Sequence, residues 1–241
     1  MKTPKIKADI LEVFASIQGE GLFVGTMQLF IRLGAHDCPP AEDSFLLKTL
    51  PGSRNIRCPS SMAAQQFFKK LDSTYPLDQF FAISFIGGNF LNHSEFLVEL
   101  LPMFREKKFK IFAETSGTPS KEFVRLSEFV NEWCVELKSS HDAQIMKQNI
   151  KDLETILAVT SPANTYFRVA IDVNDNPVGL LKKLPTLPIS NYTLILQPYA
   201  VFPAHISDWD TGTILEWINL FNPFFAQVRW IPQVHKLLRI L

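Results

Sequence analysis

Two hundred and forty-one residues and 27.4 kDa are enough chain for one large domain or two small ones around a substantial apolar core. Lys and Arg number 24, Asp and Glu number 24, hydrophobic residues make up 46% and charged residues 20%. This composition excludes a disordered charged tail and a polybasic protein held on nucleic acid by phosphate neutralisation. No apolar run approaches the roughly 20 residues of a membrane helix, and the N-terminal MKTPKIKAD leads into no signal-peptide core, so no membrane partner and a cytoplasmic location are expected.

In chain order, the first informative segment is Glu12–Gly21 (EVFASIQGEG), followed by Gly25. Gly19 and Gly21 bracket Glu20, the pattern of a backbone that bends sharply and approaches a ligand closely. The strand Leu29–Leu33 (LFIRL) carries Arg32 among apolar residues, where an unpaired guanidinium is costly; it needs a carboxylate, either Glu20 or that of a ligand. The stretch 37–61 shows no clear periodicity and reads as one long loop. A helix is expected over Ala63–Leu71, then a strand over Phe80–Ile86. The next helix, Ser94–Arg105, has Phe96, Leu97, Leu100, Leu101 and Phe104 on one face and Ser94 as N-cap; Pro102 should kink it or end it early. Strands at Phe109–Ala113, Trp133–Leu137, Tyr166–Ile171, Tyr192–Leu196 and Val228–Ile231 follow. They alternate with helices at Lys121–Asn131, Ala143–Leu157, Val178–Leu184 and Gly212–Leu220.

From Phe80 onward a strand begins roughly every 25 to 35 residues, the length of one βα unit. Most strands are continuous apolar runs, as expected when both faces are covered. The fold class predicted is therefore α/β, with parallel strands and helical crossovers in a full or partial (β/α) barrel. A doubly wound sheet is the alternative, and one domain spans 1–241.

In such folds the site gathers at the C-terminal ends of the strands. Those ends carry Gly87-Gly88-Asn89, Glu114-Thr115-Ser116, Lys138-Ser139, Asp172, Gln197, and then Gln233 and His235. Small, hydrogen-bonding and charged residues at six strand ends point to a polar small-molecule site. No acid–base–nucleophile set stands out; His235 with Glu20 or Glu114 is the pair that spacing nominates. The three cysteines, Cys38, Cys58 and Cys134, contain no C-x-x-C pair and form neither a disulfide framework nor a zinc motif.

Taken together, six ordered motifs resemble 7-carboxy-7-deazaguanine synthase, the radical S-adenosylmethionine enzyme of the queuosine and archaeosine pathways. EVFASIQGEG with FIRLG is similar to that family's opening, GGNFL to its GGEPL, ETSGT to its ETNGT, and ELKSS to its DIKLPS or SPK segment. LQP and VRWIPQVHK resemble its closing motifs. The resemblance implies a radical-SAM-type partial barrel, usually a homodimer, that rearranges 6-carboxytetrahydropterin to 7-carboxy-7-deazaguanine with magnesium. By the same resemblance Gln18, Glu20, Arg32, Gln197 and His235 would contact a pterin or deazapurine. Gly87, Gly88, Asn89, Glu114, Thr115, Ser116, Lys138 and Ser139 would line the S-adenosylmethionine site.

The departures fall where the radical chemistry lies. The family's C-x3-C-x2-C follows the RLG strand, and here Ala35, Pro39 and Glu42 stand at its three positions. Cys38 is one residue off the second; Cys58 is too distant to restore the spacing, and with His36 and Asp37 these residues make only an improvised ligand set. A [4Fe–4S] cluster of this type needs three thiolates, so it is expected to be absent. Asn89 replaces the glutamate that would take the cofactor's amino group. Ser44 keeps a hydroxyl where the family's magnesium-binding Thr stands. The expected protein is a cluster-less pseudoenzyme with a pterin-sized site, as a homodimer or with an intact paralogue. The alternatives are a synthase with unusual cluster ligation and a barrel repurposed for non-radical chemistry.

Overall fold

Alternating inward residues in Lys7–Ile17 (β1) and the apolar run Met27–Leu33 (β2) pair antiparallel, with Glu12 opposite Arg32 and Phe14 opposite Phe30. The computed structural model that shows this describes residues 7–34, 44–48, 55–87, 90–137, 143–183, 189–198 and 209–238. The chain divides into two compact units: Met1–Ile17 with Thr26–Glu132, and Gln18–Gly25 with Trp133–Leu241.

The first unit continues through Ser44–Lys48 (β3), Ile56–Pro59 (β4), Ser61–Ala63 (β5), Ala64–Thr74 (α1), Ala82–Ile86 (β6), Ser94–Glu106 (α2), Ile111–Thr115 (β7) and Ser120–Leu126 (α3). Its strand order is β7-β6-β2-β1-β3-β4, with β5 on β1. β2, β6 and β7 run parallel, as the βα spacing predicts. The N-terminal strands depart from an all-parallel sheet, because β1 is antiparallel to β2 and β5 and parallel to β3.

Three expectations are corrected here. The stretch 37–61 is not one loop: β3 and β4 form an antiparallel ladder, with Phe45 and Leu47 turned inward. Two inward residues in a five-residue strand leave too short a run of period two to read in the sequence. Ser94 is not an N-cap; a 3-10 turn over Phe90–His93 runs directly into α2, and Ser94 is its buried first residue. Nor does α2 end early, since it passes through Pro102 to Glu106. Its fully buried Phe96, Leu97, Leu100, Leu101 and Phe104 bind that face into the core strongly enough to carry the helix past the missing N–H.

Aromatic rings account for much of this core. Phe67 on α1 meets Phe45 and Phe96 at 6.3 Å each, and Phe85 on β6 meets Phe90 at 5.3 Å and Phe104 at 6.4 Å. Phenylalanines thus fill much of the space between the first unit's sheet and its covering helices.

The second unit comprises Glu132–Glu136 (β8, from Trp133 onward), Ala143–Leu157 (α4), Thr165–Ile171 (β9), Pro177–Lys183 (α5), Thr193–Pro198 (β10), Thr211–Phe221 (α6), Gln227–Trp230 (β11) and Val234–Leu237 (α7). Its strands lie in the order β11-β10-β9-β8, every neighbouring pair parallel. Trp133, Tyr166, Phe167, Trp217 and Phe221 are its largest buried side chains. Asp210 caps α6 by accepting from the Thr213 backbone N–H at 3.0 Å, and these bonds hold its carboxyl below the ordinary range. Among the described residues no helix is long and apolar enough to cross a membrane.

Two outcomes follow from this packing. Phe67→Ala should cost about 3–5 kcal/mol in urea unfolding, whereas Val124→Ala, at an exposed position on α3, should change stability by less than about 0.5 kcal/mol. Burial raises the Glu132 carboxyl above its ordinary range, with Lys110 offsetting part of the rise. A raised carboxyl disfavours the folded state once ionised, so the penalty appears as pH rises through its folded value. Glu132→Gln should therefore raise the unfolding midpoint at pH 7 and leave it nearly unchanged at about pH 3, below the unfolded carboxyl's pKa.

Candidate functional site

The second unit brings polar groups together on one face of its parallel sheet. Register places Glu136 of β8 beside Arg168 of β9, Arg168 beside Ile195 of β10, and Gln197 beside Ala170. Side chains two residues apart share a face, so Glu136, Arg168 and Gln197 point the same way near the strands' C-terminal ends. The segment 18–25, within the same unit, adds Glu20. The Arg168 Nη1 donates to Glu20 Oε2 in a short contact, and Arg168 Nη2 stands 3.6 Å from Glu136 Oε2. One guanidinium thus faces two carboxylates while remaining only 14% exposed. The other Glu20 oxygen, Oε1, accepts from Gln233 Nε2 at 2.7 Å and lies 3.9 Å from His235 Nε2.

Backbone contacts hold this arrangement. Val234 donates to the Gly19 carbonyl at 2.9 Å, and Gly25 donates to the Gln18 carbonyl at 2.8 Å. The Gln18 side-chain oxygen accepts from the Glu20 N–H at 3.1 Å. A Cβ on Gly19 would stand 2.3 Å from His235 Nδ1, and one on Gly21, at φ +64°, 2.1 Å from the Tyr166 hydroxyl. The close approach at the two glycines that bracket Glu20 is to the protein's own His235 and Tyr166 side chains, where the sequence pattern predicts a ligand.

Gln197 is distinctive. It is 3% exposed, and neither its Oε1 nor its Nε2 makes a hydrogen bond within the described protein. A buried amide left unsatisfied costs about 1–3 kcal/mol per group, which makes Gln197 a candidate binding residue.

The first unit holds the other expected residues. Arg32 has a carboxylate partner on the neighbouring strand: its Nε lies 3.4 Å from Glu12 Oε2, because β1–β2 register sets the two residues opposite each other. Its side chain is 44% exposed, so it avoids the desolvation that an inward-facing strand arginine would suffer. Lys48 of β3 also binds Glu12. Gly87, at φ +71°, ends β6 so close to Arg32 that a Cβ would lie 2.6 Å from its Cγ. Glu114 lies half-buried in the last turn of β7's register, Thr115 Oγ1 accepts from the Gly117 N–H at 2.9 Å, and Ser116 shares a 3.2 Å hydroxyl contact with Thr118. Gly88, Asn89, Lys138 and Ser139 lie outside the described residues, as do Ala35, His36, Asp37, Cys38, Pro39 and Glu42.

Neither cysteine among the described residues presents an exposed thiol to a metal. Cys58 is buried on β4 with its thiol pushed up by desolvation, and Cys134 is buried within β8; both are packed as apolar groups. The Ser44 hydroxyl, the expected magnesium position, accepts from Arg57 Nη1 at 2.6 Å.

Arg168 and Glu136 emerge from the structure as members of the cluster, beside the strand-end residue Gln233. Arg168 carried the same signal as Arg32, a cation within an apolar strand, and its burial distinguishes the two.

No family model matches the chain. It is 27% identical to the 7-carboxy-7-deazaguanine synthase of Methanopyrus kandleri, over 95% of this chain and 92% of that one. It is 25% identical to the synthase of Archaeoglobus fulgidus, over 98% and 100%, and 27% identical to that of Geobacter sulfurreducens, over 95% and 96%. Among solved structures, QueE from Escherichia coli covers 95% of both chains with a TM-score of 0.54 and 17% identity, a likeness of fold. Over nearly its whole length, the chain is similar to 7-carboxy-7-deazaguanine synthases and shares the α/β fold of QueE.

Proposed function

We propose that this protein binds a purine- or pterin-sized heterocycle through the polar face of its second unit and lacks the radical chemistry of the synthases it resembles. The observation that carries the binding half is Gln197, whose buried amide offers two N–H donors and two acceptor lone pairs to a ligand edge. Glu20 and Glu136 set two carboxylates against the single guanidinium of Arg168, an excess of acceptors that favours a ligand rich in N–H donors over a bare anion. An aminopyrimidinone, the shared ring of pterins and 7-deazaguanines, presents adjacent N–H and carbonyl groups of this kind. The likeness to the synthases supports the same class of ligand.

The loss of the cluster rests on Ala35, Pro39 and Glu42, none of which brings a thiolate, and on the packing of Cys58 and Cys134 as buried thiols. The cofactor's amino acid moiety is chelated by the open iron of such a cluster, so S-adenosylmethionine binds weakly here. The protein acts as a binding or regulatory member of 7-deazapurine metabolism, in a homodimer or beside an active relative.

Two measurements test the two halves. After anaerobic reconstitution, iron and sulfide analysis should find no stoichiometric cluster; about four irons per chain, lost in Cys38→Ala, would overturn this half. Gln197→Leu should raise stability by about 1 kcal/mol, by removing an unsatisfied buried amide, and should lower affinity for pterin-6-carboxylate at least about tenfold in calorimetric titration. A destabilised variant with unchanged affinity would make Gln197 a structural residue.

A further inference from the structure

We propose that Gln233 is the specificity-determining residue of this site, and that its side-chain oxygen reads an N–H donor on the ligand. The inference rests on the heterocycle-binding reading of the second unit.

An amide's two ends are told apart by their partners. Glu20 is an acceptor-only carboxylate, so the group 2.7 Å from its Oε1 must be the Gln233 nitrogen. That bond fixes the flip of the amide and turns Gln233 Oε1 the other way. There it is buried and makes no hydrogen bond within the described protein.

The residue cannot easily relax. Its backbone carbonyl accepts from Lys236 at 3.0 Å and Leu237 at 3.3 Å at the start of α7, and the next residue, Val234, is tied to Gly19. Glu20 cannot release the amide cheaply either, because its N–H is held by Gln18 and its second oxygen by Arg168. Gln233 is therefore a carbonyl acceptor on a rigid mount, oriented by a carboxylate. Gln197 stands nearby in the sheet, following Leu196, whose carbonyl accepts from Ile231 at 3.1 Å. Gln197 can adapt to either polarity by flipping its amide; Gln233 cannot.

The ligand group that satisfies a fixed, buried carbonyl is an N–H donor, such as the exocyclic amine of an aminopyrimidinone. An oxo group at the same ring position would set two oxygens against each other. A site that has committed its acceptor in this way discriminates strongly between the two.

The experiment is calorimetric titration of the full chain with pterin-6-carboxylate and with lumazine-6-carboxylate, which carries an oxo group in place of the ring amine. The wild type should prefer the amine-bearing compound by at least about tenfold, the effect of one buried group left unpaired. Gln233→Leu should keep the wild-type unfolding midpoint or exceed it and bind the two compounds within about threefold of each other. Gln233→Met serves the same purpose should the Leu variant fail to fold, and should show the same levelling. A merely structural role would weaken both ligands equally and leave their ratio intact. Equal binding of the two by the wild type, or an unchanged ratio in either variant, would overturn the role of Gln233 while leaving the heterocycle reading standing. Binding of neither compound by the wild type would overturn the heterocycle reading and this inference with it.

Discussion

The Glu20 carboxylate is the constraint on which the second unit's polar face depends. It can only accept, it is largely buried, and it sits where flanking glycines let the chain pass against His235 and Tyr166. A carboxylate so placed must be surrounded by donors. Arg168 supplies one from β9, and Gln233 supplies another from the segment before α7. Those two bonds set the charge of the site and the polarity of the groups that remain for a ligand. Remove the carboxylate and the guanidinium loses its closest partner, while the Gln233 amide is free to turn.

Two buried glutamines show how a satisfied polar group differs from an open one. Gln28 of β2 is fully buried, but its Oε1 accepts from the Ser84 hydroxyl of β6 and its Nε2 donates to Thr26 Oγ1 at 2.9 Å. It needs nothing further. Gln197 is equally buried and satisfied at neither end. The same side chain in the same kind of strand is thus a stitch in one unit and an open valence in the other. Hydrogen-bond accounting, rather than residue type, separates the two.

The β3–β4 hairpin changes the character of the first unit. Lys48 arrives on β3 to share Glu12 with Arg32, while Arg57 on β4 covers the Ser44 hydroxyl. Cys58, on the same hairpin, turns inward and behaves as a small apolar residue with a thiol raised by burial.

Much of this protein is legible in its residues. Continuous apolar runs such as AISFI and TLILQ, at the spacing of βα units, locate the parallel strands, and the glycines beside Glu20 announce a close approach. Local sequence carries these features because side-chain burial and backbone freedom are properties of short segments. Partnership is not such a property. Arg32 and Arg168 look alike in sequence, each a cation in an apolar strand. Only strand register puts Glu12 across from the first at the surface and Glu20 and Glu136 around the second in the interior. The separation of 148 residues between Arg168 and Glu20, and of 213 between Gln233 and Glu20, explains why. The residue types and their strand ends were determined by sequence; which donor meets which acceptor, and which amide is left open, was decided by the tertiary structure.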